Sequence, residues 1–332
     1  MDFRGLEQLE NKPLITIGMS SYNYARYIKA ALDSLLTQTY TNIELIIIDD
    51  YSKDNSVEII ENWISENDIQ CTFVRHNENI GITKTSNEFV KLAKGKYLTL
   101  AASDDIMLPE RIEKQVDILE EAGEEYGMCY ALPEYMNEDG KILNYEWKKS
   151  ISEFYEGDVL EDYVHRRFWF ITPTSLIRTA AYAKTGLYDE RILIEDYNFF
   201  LRLVACYKVK YCSYPCIIYR VKTNGTQIFK EWEKNNYERY FYERILSNLQ
   251  GLEFIKQKDL RSEIKRKITQ YLKCLAIYNS PSFFKALWFL LGKGYFSIPP
   301  KLVLIKLAKS TGLLPKVEIN LSGRDNEEIL IR

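Results

Sequence analysis

From residue 13 to residue 102 the chain repeats one pattern: a short apolar, β-branched run, polar residues at its carboxyl end, then apolar residues at helical spacing. Residues 13–19 and 43–48 are near-continuous apolar runs, which suits strands buried on both faces of a parallel sheet. Residues 72–74 supply a third short strand, and 97–102, entered through Lys94-Gly95-Lys96, a fourth. Helices are expected over about 25–36, where Ile28, Ala31, Leu32 and Leu35 share a face, over 56–66, and through 87–93. This alternation predicts an α/β fold with a doubly wound, mostly parallel sheet. Ligands of such sheets bind in the crevice beyond the carboxyl ends of the strands.

Those ends are polar. Ser20-Ser21-Tyr22-Asn23 follows the first strand, Asp49-Asp50-Tyr51-Ser52 the second, and Ser103-Asp104-Asp105 the fourth, before a helix opened by Pro109-Glu110-Arg111. Asp104 and Asp105 can hold a divalent metal, which would in turn hold a diphosphate. Equally, they can cap the helix that follows. Asp49 and Asp50 are more carboxylates than one cap needs, and Asp50 suits hydrogen bonds to a ribose or a base edge. No Gly-x-Gly-x-x-Gly follows the first strand and no Gly-x-x-x-x-Gly-Lys occurs. The chain is therefore neither an ordinary dinucleotide fold nor a P-loop protein, and phosphates would need a metal in place of a glycine cradle.

Composition narrows the classes. A length of 332 residues allows one large or two modest domains with real cores. The net charge of −3 offers no basic excess for nucleic acid. No run of about 18 apolar residues is present, so no spanning helix is expected. The first residues lack the basic-then-apolar pattern of a signal peptide, and the 6 cysteines do not look like a disulfide framework, which together give a cytoplasmic expectation. Cys206, Cys212 and Cys216 cluster without the Cys-x-x-Cys spacing of zinc sites, and 2 histidines cannot build a histidine-rich metal centre.

At this point a family resemblance becomes specific. Residues 13 to about 226 resemble the family 2 glycosyltransferases through segments in the family's order: Ile15-Thr-Ile-Gly-Met-Ser-Ser-Tyr-Asn23, Ile48-Asp-Asp-Tyr-Ser-Lys-Asp-Asn-Ser56, Asn79-Ile-Gly81 with Asn87, Gly95-Lys-Tyr97 and Ser103-Asp-Asp105. The resemblance implies the GT-A fold, an inverting reaction, a nucleotide-sugar donor (here a UDP-sugar) and Mn2+ or Mg2+. It assigns Asp50 to the nucleoside, with Ser20, Tyr22, Asn23, Ser52, Asn79, Gly81 and Lys84 around the donor. It places Ser103, Asp104 and Asp105 at the diphosphate, the last two as metal ligands. One departure stands out: where the family often has Asp-x-Asp-Asp, this chain has Ala102-Ser103-Asp104-Asp105.

Beyond Pro109 a helix is expected to about residue 121, a strand over 127–135, and a hairpin turn at Asn137-Glu138-Asp139-Gly140 into 141–143. Residues 146–158 read as a polar surface loop. The aromatic run 168–177 reads as a core strand, or else Trp169 stacks on an acceptor sugar. Glu195 and Asp196 open a helix, either as acids favoured by its dipole or as a general base. The resemblance gives Asp196 the general-base role, with Glu195 beside the acceptor. Strand material over 209–219 ends at Tyr219-Arg220, where Arg220 is read as a diphosphate contact or as an internal salt bridge to the acidic loops.

The resulting division is an extension over 1–12, a donor half over 13–108, an acceptor half over 109–226 and a helical region over 227–332. Within that last region, 281–317 carries Lys285, Lys293, Lys301, Lys306, Lys309 and Lys316 and no acid, among large apolar residues. This suits a helix pair on an anionic bilayer surface, or a tail packing on its own domain or a second subunit. The resemblance and this tail imply a saccharide or lipid-linked saccharide acceptor in polysaccharide synthesis. Two other readings stay open: a sugar-nucleotide nucleotidyltransferase, disfavoured by the absence of a basic glycine-rich loop after Gly18, and a scaffold subunit without turnover, which only Ala102 favours.

Overall fold

A computed structural model describes residues 12–143, 154–193, 195–221, 236–278, 280–294 and 298–310. The expected extension over 1–12 lies almost wholly outside them, as do most of the 146–158 loop and the tail beyond 310. The chain divides into two compact units, 1–223 and 224–332.

In the first unit, β1 (Ile15–Ser21), β2 (Ile43–Asp49), β3 (Thr72–Arg75) and β4 (Tyr97–Ala102) are the expected strands. Between them lie α1 (Ile28–Leu36), α2 (Ser56–Glu66) and α3 (Ile82–Leu92). β4 leads through β5 (Ile106–Met107) into α4 (Arg111–Ala122), followed by β6 (Tyr126–Ala131), β7 (Glu134–Met136) and β8 (Ile142–Leu143). The unit continues with α5 (Leu160–Val164), β9 (Leu176–Arg178), α6 (Ala181–Thr185), α7 (Glu195–Cys206), β10 (Lys208–Cys212) and β11 (Ile217–Arg220). The 7-stranded sheet has the order β10-β6-β9-β4-β1-β2-β3, and a 4-stranded sheet has the order β5-β11-β7-β8. The large sheet is parallel except at β9, which runs antiparallel to both β4 and β6.

Register carries the functional consequence. β1 pairs in parallel with β2 and β4, with Ser21 opposite Asp49 and Ser20 opposite Ala102. The polar segments that leave these strands therefore emerge along one edge. Beneath them Ile15, Ile17 and Met19 of β1 and Ile47 of β2 share a buried core with Ile28, Ala31 and Leu32 of α1 and Ile60 and Trp63 of α2.

Three expected strands are divided, each around a proline. The run 127–135 breaks at Pro133, so that β6 joins the large sheet and β7 the small one. The run 209–219 breaks at the turn containing Pro215, separating β10 from β11. In 168–177, Pro173 sits in a 3-10 turn over Thr172–Thr174, leaving only Leu176–Arg178 as strand. Proline donates nothing to a ladder, and the breaks at Pro133 and Pro215 pass the chain from the large sheet to the small one. The start of α1 also lies later than expected. Side chains of the β2–α2 loop hold the preceding amides: Asn23 N donates to Ser52 Oγ, Tyr24 N to Ser56 Oγ and Ala25 N to Asp54 Oδ2.

The second unit contains α8 (Tyr237–Phe254), α9 (Lys258–Ile277), α10 (Ser282–Gly292) and α11 (Pro300–Ser310). Part of the helical region expected over 227–332 lies outside the described residues. Lys306, one of the lysines read as suiting a bilayer surface, is buried at 5% exposure, where burial holds its pKa below the usual lysine range. On α10, Trp288 is 70% exposed. Among the described residues no helix is long and apolar enough to cross a membrane.

Gly95 makes the tightest backbone approach in the large sheet. Its N–H donates to Thr16 Oγ1 at 2.9 Å, and a Cβ there would lie 2.5 Å from Thr16 N. Gly95→Ala is expected to lower unfolding free energy by about 1–3 kcal/mol, read from urea denaturation.

Candidate functional site

Two loops at the strand ends are tied together by their own side chains. Asp49 accepts Ser52 N at 2.8 Å and Ser52 Oγ at 2.6 Å. Ser52 Oγ accepts Asn23 N at 2.9 Å, and Asn23 Oδ1 accepts Lys53 N at 2.7 Å. Asn23 and Tyr51 both have positive φ, 56° and 70°. Backbone strain of this kind persists only where surrounding contacts enforce it, and it gathers at functional sites. Asn23 and Ser52, both expected around a donor, thus shape the loop edge through bonds to each other. Tyr22 and Lys84 are exposed, and their side chains hydrogen-bond none of the described residues.

Asp50 is buried and organises the next turn. Its Oδ1 accepts Ile80 N at 2.8 Å, and its Oδ2 accepts Gly81 N at 2.9 Å. Gly81 has φ +85°, which a side chain would resist. Asn79 Nδ2 donates to the Asp50 backbone carbonyl at 3.3 Å. His76 completes the arrangement, with Nδ1 2.8 Å from Asp50 Oδ1 and Nε2 2.9 Å from Glu88 Oε2. Burial works against the charged ring, but hydrogen bonds and charge from Asp50 and Glu88 outweigh it and hold its pKa above the usual histidine range. Sequence reasoning passed over His76. Its one signal was position, as the residue that leaves β3 just as Asp50 leaves β2.

Asp104 and Asp105 follow β4. Asp105 Oδ1 accepts the backbone N–H of Arg220 at 2.9 Å, while its Oδ2 is buried without a hydrogen-bond partner. The Arg220 Nε donates to the Asp104 backbone carbonyl at 2.9 Å, and Nη1 donates to the carbonyls of Asn137 and Glu138. The guanidinium lies over the Tyr27 ring, 4.3 Å from its centroid. Arg220 is therefore neither far from the acids nor paired with them side chain to side chain; it braces their loop and leaves Nη2 without a partner among the described residues. Tyr24 lies close enough to Asp104 and Asp105 for each to act on the other's titration, a proximity the sequence reading missed although Tyr24 adjoins Tyr22-Asn23.

Burial, and then the neighbouring Asp104 charge, push the Asp105 pKa well above the usual carboxylate range; burial also raises that of Asp104. The pKa of Tyr24, half-buried near both acids, is pushed up to about 12 by burial and then by their charge. Two adjacent acids with raised pKa values and one buried oxygen lacking a partner fit a divalent cation. Among the described residues no group of three or more His, Cys, Asp or Glu side chains is placed to hold a metal, so the other ligands would come from a bound molecule or water. Behind the pair, Ala102 lines a small cavity with Asp105, Ser34 and the fully buried Arg111.

Glu195 and Asp196 open α7. Its orientation is set by Arg202, which donates to the carbonyls of Thr185 and Leu187 and, at 2.9 Å, to Asn198 Oδ1. The approach to α7 is locked to α3. Asn87 Nδ2 donates to the Tyr188 carbonyl at 2.9 Å and its Oδ1 accepts Tyr188 N at 2.8 Å, while Thr83 Oγ1 donates to the Ile192 carbonyl. The helix that begins at Gly81 therefore also holds the segment leading to Asp196. The core reading of 168–177 holds for Phe168 and Phe170, which are buried among Tyr130, Tyr163 and Phe200. It fails for Trp169, which is 54% exposed because alternation carries it to the opposite side.

Residues 16–225 match the family model described as glycosyl transferase family 2. The chain is a family 2 glycosyltransferase. Among its relatives is an uncharacterised glycosyltransferase of Methanocaldococcus jannaschii, 26% identical over 233 residues, which are 69% of this chain and 78% of the relative. An uncharacterised glycosyltransferase of Rickettsia felis is 29% identical over 74% of this chain but 40% of its own, longer chain. Solved structures share the GT-A fold. S. aureus TarS 1-349 in complex with UDP superposes with TM-score 0.59 at 16% identity, covering 79% of this glycosyltransferase and 71% of TarS 1-349. The Pyrobaculum calidifontis mannosyltransferase in complex with GDP-Man and Mn2+ gives 0.57 at 15% identity, covering 94% and 87%.

The raised pKa of Asp105 fixes the sign of a pH effect. Without a cation, its protonated form supplies stability that is complete below the ordinary value of 3.8 and is lost as pH rises through the raised value. A bound cation offsets that loss. Manganese with UDP is thus expected to raise Tm more at pH 8 than at pH 5, and Asp105→Asn to remove most of the difference, as read by differential scanning fluorimetry.

Proposed function

We propose that this glycosyltransferase moves a sugar from a UDP-sugar to a saccharide or lipid-linked saccharide hydroxyl, with inversion, in cell-surface polysaccharide synthesis. The observation that carries the reading is the unpartnered, buried Oδ2 of Asp105, next to Asp104 and on the same sheet edge as Asp50. Asp104 and Asp105 would hold Mn2+ or Mg2+. When bound, that ion neutralises the charge of the diphosphate leaving group.

The chain's own residues divide the remaining work. Asp50 keeps acceptor capacity on Oδ2 after taking Gly81 N, which suits an imide N–H such as that of uracil. Guanine also presents an N–H, so the preference for uridine rests on TarS, whose structures include complexes with UDP and UDP-GlcNAc. Ser20, Tyr22, Asn23, Ser52, Asn79, Gly81 and Lys84 line or shape the donor pocket, and Ser103 stands with the acids. Arg220 offers Nη2 to a diphosphate oxygen. Asp196 accepts the proton of the acceptor hydroxyl as that oxygen attacks the anomeric carbon from the face opposite the diphosphate, inverting the centre. Glu195 and the exposed Trp169 serve the acceptor, the latter as a stacking platform.

On this reading, 13–108 is the donor half and 109–226 the acceptor half, and 227–332 is a helical region. A contact with the inner face of the membrane would run through the exposed Phe284, Lys285 and Trp288 of α10 and not through Lys306. Homo-oligomerisation through the same region is the competing use.

Incubating the protein with manganese and a panel of nucleotide sugars, without acceptor, is expected to release the nucleoside diphosphate from a uridine-linked donor. Asp105→Ala should abolish release; release from a guanosine-linked donor alone would overturn the UDP assignment. With the acceptor identified, Asp196→Asn should bind UDP like wild type while transfer falls by about 10²- to 10⁴-fold in kcat.

A further inference from the structure

His76 stands between two carboxylates that belong to different elements. Asp50 immediately follows β2 and Glu88 lies midway along α3. The ring is held from its own backbone as well, since His76 N donates to the Asp49 carbonyl at 3.0 Å. A neutral imidazole has one N–H and one bare nitrogen. With a carboxylate oxygen 2.8 Å from Nδ1 and another 2.9 Å from Nε2, the neutral ring would leave one lone pair facing a carboxylate. Only the doubly protonated ring donates to both. Asp50 and Glu88 are the acids that act on it, and the adjacent Arg75 is turned away to pair with Glu61 on α2 at 2.9 Å.

The same Asp50 oxygen that meets His76 also accepts Ile80 N, and the partner oxygen accepts Gly81 N. Whatever sets the position of this carboxylate therefore sets the Asn79–Gly81 turn and the start of α3. We propose that His76 is a positioning residue of the donor site: its imidazolium, bridging Asp50 and Glu88, fixes the turn against the carboxylate that meets the nucleoside, so that donor affinity depends on the charge of this ring. The proposal rests on the assignment of Asp50 to the nucleoside made above.

The direction follows from the environment. The ring's pKa is held above the ordinary 6.5, so the bridge is complete below that value and is lost as pH rises through the raised one. Donor binding should weaken with rising pH. Asp105 gives the opposite slope, because its proton competes with the cation at low pH, and the two effects separate by sign.

The chain contains 2 histidines, so each ring resonance can be followed by NMR, and the one lost in His76→Gln is His76. Three readouts test the proposal on the full chain. The Ile80 and Gly81 amide resonances, without nucleotide, are expected to shift with the His76 midpoint. The Kd of UDP in saturating manganese is expected to rise about three- to tenfold through the same midpoint, and His76→Gln to show the weak value across that range. Glu88→Gln removes one of the two charges and is expected to move both transitions to lower pH, which a purely structural role for His76 would not do. Turn amides that ignore the His76 titration, or a transition unmoved in Glu88→Gln, would overturn the positioning role. Turn amides that follow it while UDP binds with no such transition would overturn the link to donor affinity. Failure of UDP to bind at any pH, with the amides still following His76, would overturn the donor assignment and the affinity claim while leaving the positioning of the turn established.

Discussion

Parallel pairing of β1 with β2 on one side and β4 on the other is the constraint from which the site follows. Ser21 lies opposite Asp49 and Ser20 opposite Ala102, so three chain exits open onto one edge of the large sheet. A shift of one residue in either pairing would turn each apolar side chain to the other face and break the core shared by Ile15, Ile17, Met19 and Ile47. Hydrophobic burial thus fixes the relative heights of Ser20, Asp50 and Asp104, although none of them belongs to the core.

Given that edge, the polar groups are satisfied unevenly. Asp49 and Asp50 are spent on loops: one on Ser52, the other on the amides of Ile80 and Gly81 and on His76. Asp105 has one oxygen bonded to Arg220 N and one without a partner, and burial raises its pKa. An unsatisfied buried carboxylate oxygen costs stability, and proteins retain such groups where a ligand repays the cost. The two strand ends thus differ: the β2 carboxylates each hold a loop, while at β4 one oxygen of Asp105 stays buried without a hydrogen-bond partner.

Much of this was legible in residue order. The apolar runs and helical spacings located β1, β2, β4, α2 and α7 closely, because periodicity and turn chemistry agreed there. Prolines inside 127–135, 168–177 and 209–219 signalled breaks that composition alone concealed, since the flanking residues remain strand-like on both sides. Trp169 was harder: sharing an apolar run with Phe168 and Phe170 says nothing about which side of the chain faces the core. His76 and Tyr24 were invisible for another reason. Their roles depend on groups from other elements, Glu88 and Asp104, and no spacing rule reaches that far. The backbone carbonyls that hold Arg220 were not legible, because such partners leave no trace in a sequence.

One contact also bears on the order in which the molecule is made. Asp105 is paired with the backbone of Arg220, 115 positions later in the chain. During synthesis the strands β1 to β4 emerge well before β11, so the carboxylate pair exists for a time without the strand that holds it. Over that interval the nascent chain carries two adjacent, unbraced acids at an open sheet edge. Stabilisation by ligand requires a formed site, so a ligand that depends on this pair cannot assist folding of the first half. The contact that braces Asp105 arrives only with β11, the last strand of the unit.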